Sequence, residues 1–209
     1  MKQSNRRAKT SWTYADYLTW SEDERWEIID GEAFDMTPAP SSNHQEISAN
    51  LIGLLWSFLR EKPCKVFHAP FDVRFPKKNE ADEEIRDVVQ PDIAVICDMK
   101  KIDAKGCRGA PDFIIEILSP STSSKDHLKK RRLYEQHGVK EYWLVDPEGR
   151  IITIYQTEGK DRFSRPFILG ADEEIQVSLF PGLTIDFRTV FPPEKKVVRE
   201  SPRTYSANP

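Results

Sequence analysis

Apolar residues recur at helical spacing in a long segment that follows Ser41 and Ser42. The repeated positions are Ile47, Leu51, Leu54, Leu55, Phe58 and Leu59. This spacing gathers the apolar side chains on one face of a helix, and either serine can cap its first turn. The sequence therefore predicts an amphipathic helix that packs on a core.

Shorter apolar runs predict the strands. Two of them flank Asp30-Gly31, a hairpin signal. Others span 66–75, 88–96, 112–118, 141–145, 151–155, 163–169, 175–179 and 183–187. A basic helix interrupts this series before residue 141, and 100–110 is predicted as a polar loop. The pattern predicts an α/β (α+β) fold with a central mixed sheet flanked by helices and extra C-terminal strands.

Two of the predicted strands each carry one carboxylate. Asp92 begins the run from Pro91 to Ile96, and Glu116 lies inside the run from Asp112 to Leu118. Apolar residues fill both alternating faces, the pattern of strands covered on both sides. A charge there costs roughly several kcal/mol unless it is compensated. A basic side chain, a shared proton or a metal ion is therefore expected beside these acids.

The two strands alone do not decide between two interpretations of the acids, a metal site and a structural ion pair. Neighbouring strands lie about 4.8 Å apart, so facing carboxylates can share one ion. Magnesium takes oxygen ligands and usually only one or two protein carboxylates, whereas zinc favours His or Cys. If a metal is present, the acids favour magnesium. The alternative is an ion pair with a lysine.

The basic helix is predicted to begin near Ser123, with Asp126 completing a capping box, and to end at Gly138. One face of this helix carries Asp126, Lys130, Leu133, Tyr134 and His137. Because leucine and tyrosine there favour the interior, Lys130 is predicted to point toward the sheet. Lys129 is predicted to face solvent.

Pro91-Asp92 followed by Glu116-Ile117-Leu118 resembles the PD-(D/E)XK nuclease signature. Within that superfamily, the segments EILSPST, EYWLVDP and RWEIIDGEAFDMTPAPSSNHQEIS resemble the Uma family of restriction endonucleases. The resemblance covers residues 12–190. It implies a restriction endonuclease-like core that hydrolyses DNA with Mg²⁺ or Mn²⁺. Leu118 stands where the signature has lysine, and the resemblance implies that a lysine of the following helix replaces it. The helical face independently selects Lys130.

The candidate metal ligands are Asp92, Glu116 and the carbonyl of Ile117, with Lys130 as the catalytic cation. Two further candidates match the opening block of the family. Glu32 is a third acid or an exposed hairpin carboxylate. His44 touches substrate or is a structural or surface histidine.

The composition and net charge of the chain restrict how it could contact DNA but do not by themselves indicate a function. Of 209 residues, 38% are hydrophobic and 31% charged, and the net charge of −3 gives no overall attraction to nucleic acid. Any DNA contact must use a local basic patch, for which Lys125, Lys129, Arg131 and Arg132 on the basic helix are candidates. The cysteines Cys64, Cys97 and Cys107 are predicted as free thiols in a reducing cytoplasm.

The expected organisation is one endonuclease-like domain at 12–190, an N-terminal arm at 1–11 and a disordered or draped tail at 191–209. No apolar run reaches transmembrane length, so no membrane partner is expected. DNA is the expected partner, and a homodimer would allow both strands to be cut. The alternative function is a catalytically inactive nuclease-fold module that binds DNA or protein.

Overall fold

The computed structural model describes residues 10–21, 23–36, 39–119, 125–158 and 162–193. Most of the predicted N-terminal arm and of the predicted tail lies outside these residues. The predicted capping residue Ser123 lies outside them as well.

Fourteen strands and three α-helices make up the described fold. The strands are β1 (Trp26–Ile29), β2 (Glu32–Asp35), β3 (Lys65–His68), β4 (Val73–Arg74), β5 (Val88–Val89), β6 (Ile93–Ile96), β7 (Ile102–Asp103), β8 (Gly106–Arg108), β9 (Phe113–Ile117), β10 (Glu141–Asp146), β11 (Ile151–Gln156), β12 (Phe167–Gly170), β13 (Glu174–Gln176) and β14 (Thr184–Asp186). The helices are α1 (Tyr14–Tyr17), α2 (Ser42–Leu59) and α3 (Arg131–Gln136). A π-helical turn, Asp126–Lys130, leads into α3. Short 3₁₀ turns span Asp82–Glu84, Met99–Lys101 and Phe187–Thr189.

The main sheet has the strand order β12-β11-β10-β9-β6-β3. Its central pair β9 and β10 is parallel, and its other pairs are antiparallel. A second sheet has the order β2-β1-β5-β4-β8-β7, and β13 and β14 form a separate hairpin. The predicted α/β fold with a mixed central sheet is confirmed, whereas the second six-stranded sheet was not predicted.

Side chains alternate across the main sheet and divide the core into two layers. On one side Ile115 and Trp143 pack with α2 and with the C-terminal residues Ile185 and Phe187. On the other side Ile114, Tyr142, Leu144, Leu133 and Tyr134 pack with β4 and β5 of the second sheet. Glu116 follows Ile115 in β9, so its side chain belongs to the layer that contains α3.

Two predicted strands are each divided between the sheets. The run 66–75 becomes β3 in the main sheet and β4 in the second, and the run 88–96 becomes β5 and β6 in the same way. Pro70 and Pro91 lie at these crossings, where a residue without an N–H cannot continue a ladder. The prediction of a polar loop at 100–110 is also wrong, because this segment contains β7 and β8.

The cysteine prediction is wrong for two of the three residues. Cys64 and Cys97 form a disulfide, and they flank the paired residues Lys65 and Ile96 of β3 and β6. Their separation of 33 positions hides this pairing in the sequence. Cys107 is free and buried. Among the described residues, no helix is both long and apolar enough to cross a membrane.

Candidate active site

Asp92 and Glu116 come together through the pairing of β6 with β9. These strands are antiparallel, with Ile93 opposite Ile115, so the same register continued by one residue sets Asp92 opposite Glu116. Both acids line one pocket of about 550 Å³. The two strands that were predicted to carry the acids, β6 and β9, are therefore neighbours in the sheet.

Glu116 is held by two side chains from the helical segment that follows β9. Its Oε1 accepts hydrogen bonds from Lys130 Nζ at 2.8 Å and from the Tyr134 hydroxyl at 2.6 Å. Burial raises the pKa of this carboxyl, and the charge of Lys130 lowers it only in part. Among the described residues, none donates a hydrogen bond to the second oxygen, Oε2.

Lys130 points inward, as its place on the helix face predicted. Its side chain is 2% exposed, and Nζ lies 2.8 Å from Glu116 and 3.6 Å from Asp126. These carboxylates, together with Glu27, outweigh burial and raise the pKa of the ammonium well above its usual value. Lys130 ends the π-helical turn, a feature that often occurs at functional sites.

Glu27 of β1 is a buried acid that was not among the candidates. Its Oε1 lies 2.8 Å from Lys130 Nζ and accepts a hydrogen bond from the Gln90 N–H at 3.0 Å. Its Oε2 accepts from Lys125 Nζ at 2.5 Å. Burial works to raise the pKa of Glu27, but the two lysines outweigh it and hold the pKa below its usual range. Glu27 therefore joins both lysines to the second sheet.

Glu32, predicted as either a third acid or an exposed hairpin carboxylate, has no contact with Lys130, Glu116 or Asp92 among the described residues. It is exposed and pairs with Lys129. Glu27 carries the same signal that selected Glu116, since it is an acid inside the apolar run of β1. That signal could have identified it.

Asp92 is fixed through one of its oxygens. Its Oδ2 accepts from the Ile117 N–H at 2.8 Å and lies 3.2 Å from His44 Nε2. His44 is in the first turn of α2, where the Ser41 side chain caps the helix. Burial works to lower the pKa of His44, and Asp92 outweighs it, so the pKa is raised. Of the two second-tier candidates, His44 lies at the site.

The match to known families covers most of the chain. A family model described as "Uma2: Putative restriction endonuclease" matches residues 14–188. The chain belongs to the Uma2 family. It is 28% identical over 143 residues to "Uncharacterized protein slr1290" of Synechocystis sp., which covers 67% of this chain and 71% of that protein. A crystal structure described as a "putative nuclease belonging to DUF820" from Anabaena variabilis is 22% identical, with a TM-score of 0.68 over 86% of this chain and 97% of the other. This second likeness shows a shared fold.

In this Uma2 chain, Leu118 stands two positions after Glu116, where the signature that the sequence resembles has lysine, and it lines the pocket. The only lysines among the described lining residues are Lys125 and Lys130. Of these, Lys130 contacts Glu116 directly. Lys130 is therefore the pocket lysine, among the described residues, that contacts an acid of β9.

The donor set of this Uma2 pocket fits a hard cation better than zinc. Four carboxylates line the pocket with two lysines, one arginine and one histidine, and no cysteine is among the described lining residues. The acids are Asp92, Glu116, Asp126 and Glu148, and the basic residues are Arg25, Lys125, Lys130 and His44. Within the described part of the chain, no group of three or more acids, histidines or cysteines is arranged as a metal site. Two pocket carboxylates with water and phosphate are the shell that magnesium commonly takes.

The outer basic patch predicted for this Uma2 helix is smaller than expected. Lys125 turns inward to Glu27, with its side chain 11% exposed. Lys129 pairs with Glu32, and Arg131 lies 3.6 Å from Glu135. These pairs reduce the positive charge that the helix offers to phosphates.

Proposed function

We propose that this chain is a metal-dependent endonuclease that hydrolyses phosphodiester bonds in DNA, with residues 12–190 as one catalytic domain. The observation that carries the proposal is the register that sets Asp92 opposite Glu116, with the buried ammonium of Lys130 on Glu116. Membership of the Uma2 family supports a nuclease.

Asp92, Glu116 and the carbonyl of Ile117 would hold Mg²⁺ or Mn²⁺. When bound, the ion polarises the scissile phosphate and lowers the pKa of a bound water. The protein orients both carboxylates beforehand. The Ile117 N–H fixes Asp92, and Lys130 with Tyr134 fixes Glu116, so one oxygen of each acid is directed by the protein.

Lys130 is the side chain that we assign to stabilising the transition state of hydrolysis. Its ammonium orients the attacking water or stabilises the negative charge that builds up on the phosphate in the transition state. A preorganised group of this kind typically contributes about 2.7–4 kcal/mol. Glu27 positions Lys130 through their ion pair, and His44 positions Asp92 through the contact of its Nε2 with Oδ2.

A plasmid-nicking assay tests the proposal. The purified chain should convert supercoiled DNA to nicked circles in Mg²⁺ or Mn²⁺ and not in EDTA. Glu116→Gln and Asp92→Asn should abolish nicking. Glu141→Gln is the matched control, because Glu141 is also buried but hydrogen-bonds Trp143 and Ser178 outside the pocket. Cleavage that persists in both site variants would remove the proposed mechanism.

A second candidate function is a DNA-binding or protein-interaction module without catalysis. It is favoured by Leu118 at the motif position and by the engagement of Lys130 with Glu27 and Glu116. Such a module would bind DNA equally in Mn²⁺ and in EDTA and would never cut it. The same assay, followed by a gel shift, distinguishes the two functions.

A homodimer would bring a second site to the opposite DNA strand. Strand β12 forms one edge of the main sheet, and Phe167 and Ile168 are exposed on it. An exposed apolar edge strand is a typical place for strand pairing between chains. Sedimentation of wild type and Ile168→Lys tests this part of the proposal. If the dimer forms through β12, the wild type should sediment as a dimer and the Ile168→Lys variant as a monomer.

A further inference from the structure

Arg25 lies at the base of the β1–β2 hairpin, beside the candidate active site. Its backbone carbonyl accepts a hydrogen bond from the Met36 N–H at 3.0 Å, which closes the hairpin. Its side chain is half-buried, and both Nε and Nη2 donate to Oε1 of Gln90, at 3.2 and 3.0 Å. Gln90 lies between β5 and β6, where the chain crosses from one sheet to the other. Arg25 is therefore held at the junction of the two sheets.

The charge of Arg25 is not matched by an acid. The other cationic residues that line the pocket each contact a carboxylate, Lys125 with Glu27, Lys130 with Glu116 and His44 with Asp92. Arg25 instead contacts a neutral amide, and no carboxylate pairs with it among the described residues. Charged groups that are removed from water are normally paired. The guanidinium also has further N–H donors that the single oxygen of Gln90 does not engage.

A second pocket continues the space around the acids. It has a volume of about 190 Å³ and is lined by α2 and by the end of β3. It shares Arg25, Pro40, His44 and Asp92 with the larger pocket. Arg25 therefore stands at the wall common to both pockets, next to Asp92. A ligand that extends from the acid pair into the second pocket would lie along a wall that includes Arg25.

We infer that Arg25 binds a backbone phosphate of the substrate strand, adjacent to the phosphate at Asp92 and Glu116. The inference rests on the proposed nuclease function and adds the residue that positions its substrate. A planar guanidinium matches the geometry of phosphate oxygens and binds them through paired hydrogen bonds. Gln90 fixes the orientation of the guanidinium without neutralising it. An acid in place of Gln90 would have consumed the charge that a phosphate requires.

Binding measurements test the role of Arg25 without cleavage. In a Glu116→Gln background with Mn²⁺, a fluorescein-labelled DNA duplex is titrated at several NaCl concentrations and followed by anisotropy. Arg25→Ala should weaken binding by about tenfold or more and reduce the slope of log affinity against log salt by about one. Arg25→Lys should keep the salt slope and lose only part of the affinity, because a lysine retains the charge but not the paired donors.

Arg188→Ala is the matched control. It removes the same charge from an exposed arginine that pairs with Asp186 and lines neither pocket. Its affinity and salt slope should equal those of the parent. Equal losses in Arg25→Ala and Arg188→Ala would overturn the inference, as would an unchanged salt slope in Arg25→Ala. If Arg25→Ala does not fold, Arg25→Gln replaces it, since glutamine can still donate to Gln90.

Kinetics with otherwise wild-type protein separate this inference from the proposed function. Arg25→Ala should raise KM with little change in kcat, whereas a purely structural role would lower thermal stability and leave the salt slope unchanged. An unaltered KM in a protein that cleaves would refute the role of Arg25 alone. A wild-type protein that binds DNA through Arg25 but never cleaves would refute the nuclease proposal alone. A wild-type protein that does not bind DNA would refute both.

Discussion

Nζ of Lys130 lies 2.8 Å from Oε1 of Glu27, the same distance that separates it from Oε1 of Glu116. Glu27 belongs to β1 of the second sheet, and Glu116 belongs to β9 of the main sheet. One ammonium therefore joins the two sheets at the point where the candidate site is built. Glu27 does not line the pocket, so its expected role is to position Lys130 rather than to contact substrate.

Glu27→Gln should therefore reduce both stability and cleavage. It removes the charge that compensates Lys130 and Lys125, and breaking a buried pair in this way typically costs about 3–5 kcal/mol. The free energy of unfolding is measured by denaturant titration of tryptophan fluorescence, and cleavage by plasmid nicking. Glu32→Gln is the control from the same hairpin, since Glu32 is exposed and exposed pairs contribute little. Similar effects of the two changes would contradict the positioning role.

Lys130→Met should slow nicking by at least about a hundredfold, the usual loss when a preorganised group is removed from a transition state. Methionine keeps much of the buried volume, so the loss is assigned to the charge. The neighbouring change Lys129→Met supplies the control, because Lys129 is outside the pocket and pairs with Glu32. If the Lys130 variant nicks as fast as the Lys129 variant, Lys130 has only a structural role.

The acids and the lysine could be predicted because each follows from a local pattern. Asp92 and Glu116 are charges at the start and in the middle of apolar strands, where only compensation makes a charge tolerable. Lys130 shares a helix face with Leu133 and Tyr134, and helical geometry alone turns that face inward. The long helix α2 and the C-terminal strands followed from periodicity in the same way.

Features that depend on contacts far apart in the chain could not be predicted. Lys125 sits 98 positions from Glu27, and although the apolar run around Glu27 marks it as a buried acid, nothing in the hairpin identifies Lys125 as its partner. Of the two alternatives for Glu32, the structure fits the exposed hairpin carboxylate, and its partner Lys129 is almost equally distant in the sequence. The division of 66–75 and 88–96 between two sheets has the same origin, because an apolar run does not reveal which sheet each half joins.

Mn²⁺ should stabilise the folded chain against heat. Asp92 and Glu116 lie opposite each other at the pairing of β6 with β9, so a divalent ion bound between them relieves the repulsion of the two carboxylates. At a concentration about a hundred times Kd, binding of this kind adds about 2.7 kcal/mol to stability. The double variant Asp92→Asn/Glu116→Gln should show no Mn²⁺-dependent rise in Tm, whereas Glu141→Gln should keep the wild-type rise. An equal rise in the double variant would place the ion elsewhere.

The disulfide Cys64–Cys97 should stabilise the chain, because it links the segment after α2 to the end of β6, the strand that follows Asp92. Closing a loop of this kind typically contributes about 2–4 kcal/mol. Cys64→Ser should therefore lower the free energy of unfolding under non-reducing conditions, and prior reduction of the wild type should have a similar effect.

A thiol titration in denaturant checks the disulfide directly. Without reductant, the wild type should expose one reactive thiol, that of Cys107, and reduction should raise the number to three. Cys107→Ser serves as the control, because it removes a free thiol and leaves the cross-link, so its unreduced form should expose none. If three thiols react before reduction in protein isolated from an oxidising medium, Cys64 and Cys97 are unpaired. The stability of the main sheet would then depend on packing and strand pairing alone.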